Sequence, residues 1–389
     1  MEKGSTSVNE RAEHYDVVII GAGQAGLAMG YLLSRQKRRF LIVERAGSVG
    51  SAWRERWDSL TLFTSRPYDS LPGLDFPGDA AGYPNRDEVI EYLAEYARRF
   101  ELPVSLNTNV RRLGAGESGG YVIDTDRGTI AADQVVVATG PFQQPFVPDV
   151  ATQLAPEIYQ AHSVQYRRPS EVPEGTILVV GGGNTGFQIA EELSSTHDRV
   201  VLAVGSRQMP LPQRVLGRDL FWWLTKSRAI NKTVESRLGS RMQHRDTLIG
   251  SSPRRLRRHG VTIKPRVIDA QGKTVRFEDG DQLDVEAVIW ATGYRPDYSW
   301  LDVPVIDAES QVRHRRGLTD LPGLYFLGLY WQWTRGSALI GWVGVDAEYI
   351  AEQIEAFQEK SGAAAPAGDV APGVETTTAD AHSATARHS

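Results

Sequence analysis

Residues 176–186 read TILVVGGGNTG, an apolar run that passes directly into a glycine-rich turn. Gly181, Gly183 and Gly186 hold the first, third and sixth positions of that turn, and a helical pattern follows at 187–193. The first glycine permits a tight strand-to-helix turn, the second lets a pyrophosphate approach the backbone, and the third lets helix and strand pack closely. The phosphates then face a helix N-terminus, which favours an anion. The stretch therefore predicts a dinucleotide-binding unit.

The same pattern occurs once before, where residues 15–26 read YDVVIIGAGQAG and place Gly21, Gly23 and Gly26 in the turn. Each copy is closed by a Val/Ile-rich strand that runs into Ala-Thr-Gly, at Gly140 and at Gly293. One such motif is a weak signal, because a glycine-rich turn often binds nothing. Two copies in the same context indicate an internal repeat of two nucleotide-binding units. One unit is expected to lie inside the domain of the other.

The residue at the end of the second strand distinguishes the two units. In the first unit, the strand at 39–44 ends at Glu44, roughly 20 residues past the first glycine, where an acid accepts hydrogen bonds from a ribose diol. A surface Glu that merely ends a strand is the alternative, but it leaves the spacing unexplained. An acid here suits an unphosphorylated adenosine ribose, as in FAD or NAD.

The matching strand of the second unit, at 199–204, is followed by Gly205, Ser206 and Arg207. The acid is missing, and a hydroxyl and a guanidinium stand in its place. These groups can bind the 2′-phosphate of NADP. NADPH is therefore predicted over NADH at the second site.

The predicted fold is α/β, with two three-layer, Rossmann-like dinucleotide-binding domains. The first nucleotide-binding domain, for FAD or NAD, comprises residues 14–150 and 295–360 and is split by an inserted second domain, for NADPH, at 151–294. The polar segment 1–13 and the Ala/Pro/Gly/Thr-rich tail 361–389 are expected to be disordered. Residues 50–73 lack clean periodicity and are expected to form an ordered loop.

Composition sets further bounds. The 389-residue chain is 41% hydrophobic and 23% charged, with a net charge of −5 and a pI of about 6.0. These values give no global reason to expect a nucleic acid or a membrane as partner. The chain shows no secretory signal and no long apolar run, so a cytoplasmic location is expected. Cysteine is absent, which excludes a disulfide reductase that uses its own cysteine pair, and no metal site is predicted.

Three other features have competing interpretations. The arginines at 254–258 could form a nucleic-acid patch, but without interleaved aromatics a solvated helix face that attracts an anionic cofactor is favoured. The aromatic run at 221–224 is interpreted as core or as a domain contact. His162 is interpreted as a hydrogen-bonded structural residue.

These motifs together resemble the flavin-containing monooxygenases, especially their small bacterial CzcO-like flavoprotein branch and, more distantly, the plant auxin-forming monooxygenases. The resemblance covers roughly residues 15–354 and includes the Gly50-x-x-Trp53 motif, both glycine turns and the 291–294 sequence ATGY. His162 and Tyr166 resemble half of the family's identifying motif, whereas Pro156 and Ile158 replace the other half. A Tyr at 166 rather than Trp favours heteroatom oxygenation over Baeyer–Villiger oxidation.

The resemblance implies FAD and NADPH as cofactors, and Thr64 and Gln332 as polar contacts near the flavin that are the candidate catalytic residues. The residues expected to bind the cofactors are Gly21, Gly23, Gln24, Ala25, Gly26, Glu44, Arg45, Trp53, Arg54, Thr64, Val110, Ala138, Thr139, Gly140, Gly181, Gly183, Asn184, Thr185, Gly186, Ser206, Arg207, Ala291, Thr292, Gly293, Tyr294, Trp331 and Gln332.

The implied activity is that of a single-component monooxygenase. NADPH reduces FAD, O₂ is trapped as a C4a-(hydro)peroxyflavin, and one oxygen atom passes to a small soft nucleophile such as N, S or As. Three alternatives stay open: a Baeyer–Villiger or oxidative-decarboxylating monooxygenase, an NADPH oxidase or reductase, and a flavin-binding redox sensor without activity. The sequence leaves the oligomeric state undecided, with a homodimer among the options.

Overall fold

The computed structural model describes residues 13–117, 119–206, 208–243 and 247–363. The segments expected to be disordered lie outside these ranges with two exceptions. Glu13 begins the first strand rather than ending a disordered segment, and residues 361–363 complete the last helix.

Helices and strands alternate through most of the described ranges. The helices are α1 Gln24–Arg35, α2 Ser51–Arg54, α3 Arg86–Arg99, α4 Asn184–Leu193, α5 Leu220–Lys226, α6 Arg237–Gln243, α7 Pro253–Arg258 and α8 Ile340–Ala363. The strands are β1 Glu13–Ile20, β2 Phe40–Val43, β3 Val104–Ser105, β4 Val110–Ala115, β5 Tyr121–Thr125, β6 Gly128–Val137, β7 Gln144–Pro145, β8 Tyr159–His162, β9 Thr176–Val180, β10 Arg199–Ala203, β11 Met209–Leu211, β12 Arg214–Val215, β13 Arg218–Asp219, β14 Thr247–Ile249, β15 Thr262–Lys264, β16 Val267–Gln271, β17 Thr274–Phe277, β18 Gln282–Asp284, β19 Ala287–Trp290, β20 Tyr294–Arg295, β21 Leu301–Asp302 and β22 Leu324–Phe326. Short 3₁₀ helices lie at Arg66–Tyr68, Asp149–Gln153 and Pro169–Glu171.

The first sheet is built around β1, in the order β21-β4-β5-β6-β1-β2-β3. Strands β3, β2, β1 and β6 run parallel, and β4 and β5 form a meander that leads antiparallel into β6. Helix α1 packs against α8 and α3, with buried apolar side chains between these helices and the sheet. A second apolar cluster covers the other face of the same sheet. The layers predicted for a Rossmann-like domain are therefore present.

The second sheet has the order β15-β10-β9-β19-β8, and all of its strand pairs are parallel. It is formed entirely from residues between β6 and β21 of the first sheet. The chain then returns to the first sheet, where β22 pairs in parallel with β6. The two connections meet as β7 and β20, which pair antiparallel. The inserted arrangement predicted from the repeat is therefore the observed topology.

Local sequence signals account for several boundaries. Asn85 caps α3, and its side chain and that of Glu88 form a capping box. The interval 50–73 is less irregular than expected, because α2 and the 3₁₀ helix Arg66–Tyr68 lie within it. Within the described ranges, no helix combines the length and the apolar composition that a membrane span requires.

Candidate cofactor and active site

The first glycine turn joins β1 to α1, and at two of its glycines the neighbouring backbone leaves no room for a side chain. A Cβ on Gly26 would stand 1.9 Å from the carbonyl oxygen of Gly21, and one on Gly21 would stand 2.7 Å from that of Ala138. A Cβ on Gly23, by contrast, would meet nothing within 4 Å. Gly23 is also the N-cap of α1 and provides no side-chain cap. Unpaired N–H groups thus face an open cradle that fits a pyrophosphate.

The second turn repeats this geometry between β9 and α4. A Cβ on Gly186 would stand 2.0 Å from the carbonyl oxygen of Gly181, and one on Gly181 would stand 2.1 Å from that of Ala291. Gly183 has open space above it and caps α4 without a side chain. In both copies, the Ala-Thr-Gly segment therefore packs against the first glycine of the turn. It leaves open the space above the second glycine, where the phosphates are predicted to bind.

A cavity of about 340 Å³ opens at the first turn. The residues predicted for the flavin site that line it are Gly21, Gly23, Gln24, Ala25, Glu44, Arg45, Val110, Ala138, Thr139 and Gly140. The lining residues that the sequence did not reveal include Ser51, Thr108, Asn109, Gln143, Gln144, Asp297, Trp300 and Gly328. The predicted residues outside the lining are Gly26, Trp53, Arg54, Thr64, Trp331 and Gln332.

Of the residues outside the lining, Gly26 and Trp53 stand next to the cavity, whereas Arg54 does not. Gly26 supports the turn, and the indole N–H of Trp53 donates to the Gln24 Oε1 at 3.2 Å. The side chain of Arg54 is exposed to solvent. The structure therefore connects Trp53 with the cavity through Gln24 and gives Arg54 no such connection.

Glu44 lines this cavity, and three hydrogen bonds hold its carboxylate in place. Its Oε2 accepts a hydrogen bond from the Ala22 N–H at 2.8 Å, and its Oε1 accepts one from the Ala46 N–H at 3.0 Å. The Ser51 hydroxyl donates to the same Oε1 at 3.3 Å. These contacts fix the carboxylate beside the glycine turn, and the lone pair that remains on Oε2 is available to a ribose hydroxyl.

The second site contains polar residues that local sequence patterns did not reveal. The amide of Gln208 lies above the turn, since a Cβ on Gly182 would stand 2.2 Å from its Nε2. That Nε2 donates to the Ser206 hydroxyl at 3.3 Å, and the buried Oε1 has no hydrogen-bond partner among the described residues. Arg266 donates to the Gly205 carbonyl at 3.1 Å. Arg207 lies outside the described residues.

Asn184 and Thr185 begin α4, as the motif requires. The Asn184 side chain is engaged with β14, because its Oδ1 accepts from the Ile249 N–H at 2.9 Å and its Nδ2 donates to the Thr247 carbonyl at 3.4 Å. Asn184 therefore anchors the helix N-terminus through its side chain, which leaves only its backbone N–H for the predicted phosphate contact.

The second Ala-Thr-Gly sequence, at 291–293, and the adjoining Tyr294 are hydrogen-bonded to neighbouring segments, including the connection between the domains. The Thr292 hydroxyl donates to the Phe146 carbonyl, and the Tyr294 hydroxyl accepts from Arg56 at 2.7 Å. His162 donates through Nε2 to the Gly293 carbonyl at 3.0 Å and accepts from the Val164 N–H through Nδ1. Burial lowers the pKa of this ring, which is consistent with a neutral structural histidine.

Tyr166 lies in the core of the second domain. It is only 1% exposed, and its hydroxyl donates to Glu192 at 2.7 Å. The difference between Tyr and Trp at this position is thus a packing difference inside that domain. The preference for heteroatom oxygenation over Baeyer–Villiger oxidation that was drawn from this residue stays a prediction.

An aromatic cluster, here named the seam, joins the two domains through Phe63, Tyr68, Phe221 and Trp342, of which Phe221 is buried and the other three are partly buried. The Phe63 and Phe221 rings stack at 5.9 Å, and the Tyr68 and Trp342 rings stack at 5.7 Å. The aromatic run at 221–224 therefore contributes a domain contact through Phe221.

Thr64 lies in the same loop as two seam residues, and its hydroxyl donates to the Asp69 Oδ1 at 2.5 Å. The Asp69 side chain is 2% exposed, and its Oδ2 has no partner among the described residues. Burial raises the pKa of this carboxyl to about 8; Asp219 adds to the rise, whereas the Thr64 hydrogen bond and Arg66 oppose it. Asp69 was not predicted, because its burial results from tertiary contacts.

Trp331 and Gln332 follow β22 and are both buried. Trp331 has a positive φ of 56°, a backbone conformation that is uncommon for a bulky residue and is found at functional sites. The Gln332 Oε1 accepts from the Leu329 N–H at 3.2 Å, while its buried Nε2 lacks a partner among the described residues. This amide N–H₂ group is an available donor for a carbonyl oxygen such as those of a flavin ring.

Comparison with known proteins agrees with this architecture. Residues 18–328 match the family model described as pyridine nucleotide-disulphide oxidoreductase. An oxidoreductase described as CzcO-like from Geobacillus kaustophilus is 46% identical over 342 residues, which are 87% of this chain and 98% of that protein. A probable indole-3-pyruvate monooxygenase of Arabidopsis thaliana is 27% identical in an alignment of 385 positions that covers 87% of this chain and 88% of that protein.

Among solved structures, a flavin-containing monooxygenase from Stenotrophomonas maltophilia superposes with a TM-score of 0.75 at 28% identity. The match covers 89% of this chain and 99% of that one. The chain therefore belongs to the pyridine nucleotide-disulphide oxidoreductase family, in its flavin-containing monooxygenase-like, CzcO-like branch, and is an oxidoreductase.

Proposed function

We propose that this protein is an NADPH- and O₂-dependent flavoprotein monooxygenase that inserts one oxygen atom into a small substrate with a soft nucleophilic N, S or As atom. The observation that carries the proposal is the seam with its buried polar pair Thr64 and Asp69. An oxygenase must exclude water from its reacting centre, and an apolar wall with a few polar groups is the arrangement that this requires.

Family membership bears out the expectation of FAD and NADPH as cofactors. FAD, when bound, supplies the hydride-accepting and oxygen-activating chemistry. The residues assigned to hold it are those of the first glycine turn and Glu44, with Gln143 and Asp297 at the domain connections. Gln143 donates to the Thr139 hydroxyl at 3.0 Å and accepts from the Asp297 N–H at 2.5 Å, so its side chain stands in a fixed position. The Asp297 carboxylate is held separately, because its Oδ2 accepts from Gln144 at 3.0 Å.

For NADPH, the second glycine turn would hold the pyrophosphate. Ser206, Arg207 and Arg266 are the groups assigned to the adenosine 2′-phosphate, since hydroxyl and guanidinium donors suit that group. An Arg207→Ala variant tests the coenzyme assignment through the ratio of NADPH to NADH turnover. An unchanged ratio, together with an unchanged ratio in Arg266→Ala, would remove the assignment.

The Thr64 and Asp69 pair is the polar element of the proposed active site. At neutral pH the protonated form of Asp69 is favoured by its surroundings, so this carboxyl can hold a proton beside the Thr64 hydroxyl without a buried charge. We assign the pair the role of hydrogen-bond donor and acceptor in the active site, from which the seam is proposed to exclude water.

The deciding experiment supplies the purified protein with FAD, NADPH and ¹⁸O₂ and a panel of sulfides, amines, arsenite, ketones and α-keto acids. One labelled oxygen atom in a sulfoxide, N-oxide or arsenate supports the proposal. Labelled ester from a ketone, or decarboxylation of an α-keto acid, would assign the carbonyl alternative. NADPH consumption that yields only peroxide would indicate an oxidase or reductase, and no NADPH consumption would indicate a redox sensor.

A further inference from the structure

A short hairpin carries an exposed aliphatic tip on the second domain. Strands β12 and β13 pair antiparallel, and Leu216 and Gly217 form their turn with positive φ values of 49° and 75°. The Leu216 side chain is 86% exposed. Trp223 is exposed beside it, and its indole N–H donates to the Val215 carbonyl at 2.9 Å. The leucine and the indole are therefore held together at the surface.

Cations surround this apolar tip. The Arg218 guanidinium lies 5.3 Å and the Lys226 Nζ lies 5.9 Å from the centre of the Trp222 ring. Arg228 follows directly after α5 and is exposed. The salt bridges within the described ranges involve none of these three cations. A global charge of −5 thus conceals a local positive surface.

The acid nearest in sequence does not neutralise this surface. Asp219 turns inward, where its Oδ1 accepts from the Phe221 N–H at 2.7 Å and its Oδ2 is buried. The opposite side of α5 is occupied as well, because Phe221 packs in the seam against Phe63 and Trp342. Helix α5 is therefore anchored on the first domain and presents only its outer side to solvent.

We propose that this outer patch, formed by Leu216, Arg218, Trp222, Trp223, Lys226 and Arg228, docks onto the surface of an anionic lipid bilayer. Aliphatic and indole side chains partition into the headgroup boundary, and neighbouring Lys and Arg side chains pair with lipid phosphates. The attachment is peripheral. It is independent of the oxygenation chemistry proposed above.

Two other occupants fit the patch less well. A single-stranded nucleic acid needs open aromatic faces on which bases can stack, and two cations already lie over the Trp222 ring. A second copy of this chain, docked through the same patch, would place like charges opposite each other. Lipid phosphates complement the charges, and the bilayer boundary accommodates Leu216.

The test is co-sedimentation of the full chain, loaded with FAD, with phosphatidylglycerol-rich vesicles and with pure phosphatidylcholine vesicles. We expect binding to the anionic vesicles only, weakened by added salt. Leu216→Asp, and separately the triple variant Arg218→Glu, Lys226→Glu, Arg228→Glu, should each lower partitioning by at least about ten-fold. Flavin content and the melting temperature check that both variants fold.

A matched control reverses three exposed arginines on α7, in the variant Arg254→Glu, Arg257→Glu, Arg258→Glu. It changes the net charge as much as the triple patch variant does, and it should retain vesicle binding. Equal loss in both triple variants would overturn the proposal, as would the absence of binding to anionic vesicles. Binding of a single-stranded oligonucleotide in place of vesicles, or a dimer that Leu216→Asp dissociates, would assign the other occupants and overturn it too.

Discussion

Asp69 shows how a single buried carboxyl connects the site with the stability of the fold. Its ordinary pKa is 3.8, and burial raises this pKa to about 8 in the folded protein. The folded protein therefore binds this proton more tightly than the unfolded chain does. The stabilisation from this group is complete below the ordinary pKa and is lost as the pH rises towards 8.

We expect the free energy of unfolding to fall as the pH rises from 6 to 8, by at most about 1.4 kcal/mol per pH unit from this group. Asp69→Asn keeps the acceptor for Thr64 and removes the titration, so its stability should change less over the same range. Asp75→Asn, at an exposed carboxylate of the same loop, is the control and should follow the wild type. Urea denaturation at several pH values measures the difference, and parallel curves for wild type and Asp69→Asn would contradict the prediction.

Glu44 provides a second test at the residue scale. Replacement by Ala removes the acceptor for the Ala22 and Ala46 N–H groups and the acid assigned to the ribose. Hydrogen bonds to a charged group contribute about 1.5–3 kcal/mol each, so FAD affinity should fall at least about ten-fold. Glu44→Gln keeps an acceptor oxygen and should lose less. Fluorescence titration of the apoprotein with FAD measures this, and wild-type affinity in Glu44→Ala would refute the role.

At the scale of elements, the glycine turns allow the two cofactor sites to be separated. Gly26→Ala should prevent flavin binding, because its Cβ would lie 1.9 Å from the Gly21 carbonyl oxygen. Gly186→Ala carries the same clash at the second turn and should leave bound FAD unchanged while abolishing its reduction by NADPH. Gly260→Ala, at a turn glycine with open space around it and a positive φ, controls for backbone strain alone.

Absorbance of bound flavin and anaerobic reduction by NADPH or by dithionite distinguish these outcomes. Gly186→Ala protein that dithionite reduces and NADPH does not would support the assignment of the second turn. Reduction by NADPH at the wild-type rate would show that the second turn does not hold the coenzyme.

The elements that sequence predicted are those with local causes. The glycine spacing of the two turns and the apolar strands that precede them depend on neighbours within a few residues, and both have counterparts in the structure. The surroundings of Gln208 and Asp69 are formed in part by segments that are distant in the sequence, such as those that contain Gly182 and Asp219. Phe63 and Phe221 are far apart in the chain and meet only in the seam, so no local periodicity could indicate that contact.

At the scale of the whole molecule, Arg56 joins both connections between the domains. It donates to the Tyr294 hydroxyl at 2.7 Å, and its guanidinium lies 4.6 Å from the centre of the Phe142 ring and 5.3 Å from that of Tyr294. Phe142 belongs to the outgoing connection and Tyr294 to the returning one, which pair just beyond as β7 and β20. One side chain of the first domain thus contacts both connections.

Because relative motion of the domains must pass through these connections, Arg56→Ala should loosen them and leave both glycine turns intact. We expect a loss of about 1–3 kcal/mol in stability and faster hydrogen exchange at 141–148 and 293–297, with FAD still bound. Arg56→Lys keeps the charge and loses the planar fork, so its effect should be intermediate. Hydrogen exchange that rises equally throughout the protein would indicate general destabilisation and not the loss of a local contact at the two connections. Exchange confined to the two connections, together with slower reduction by NADPH, would assign Arg56 to the alignment of the two domains.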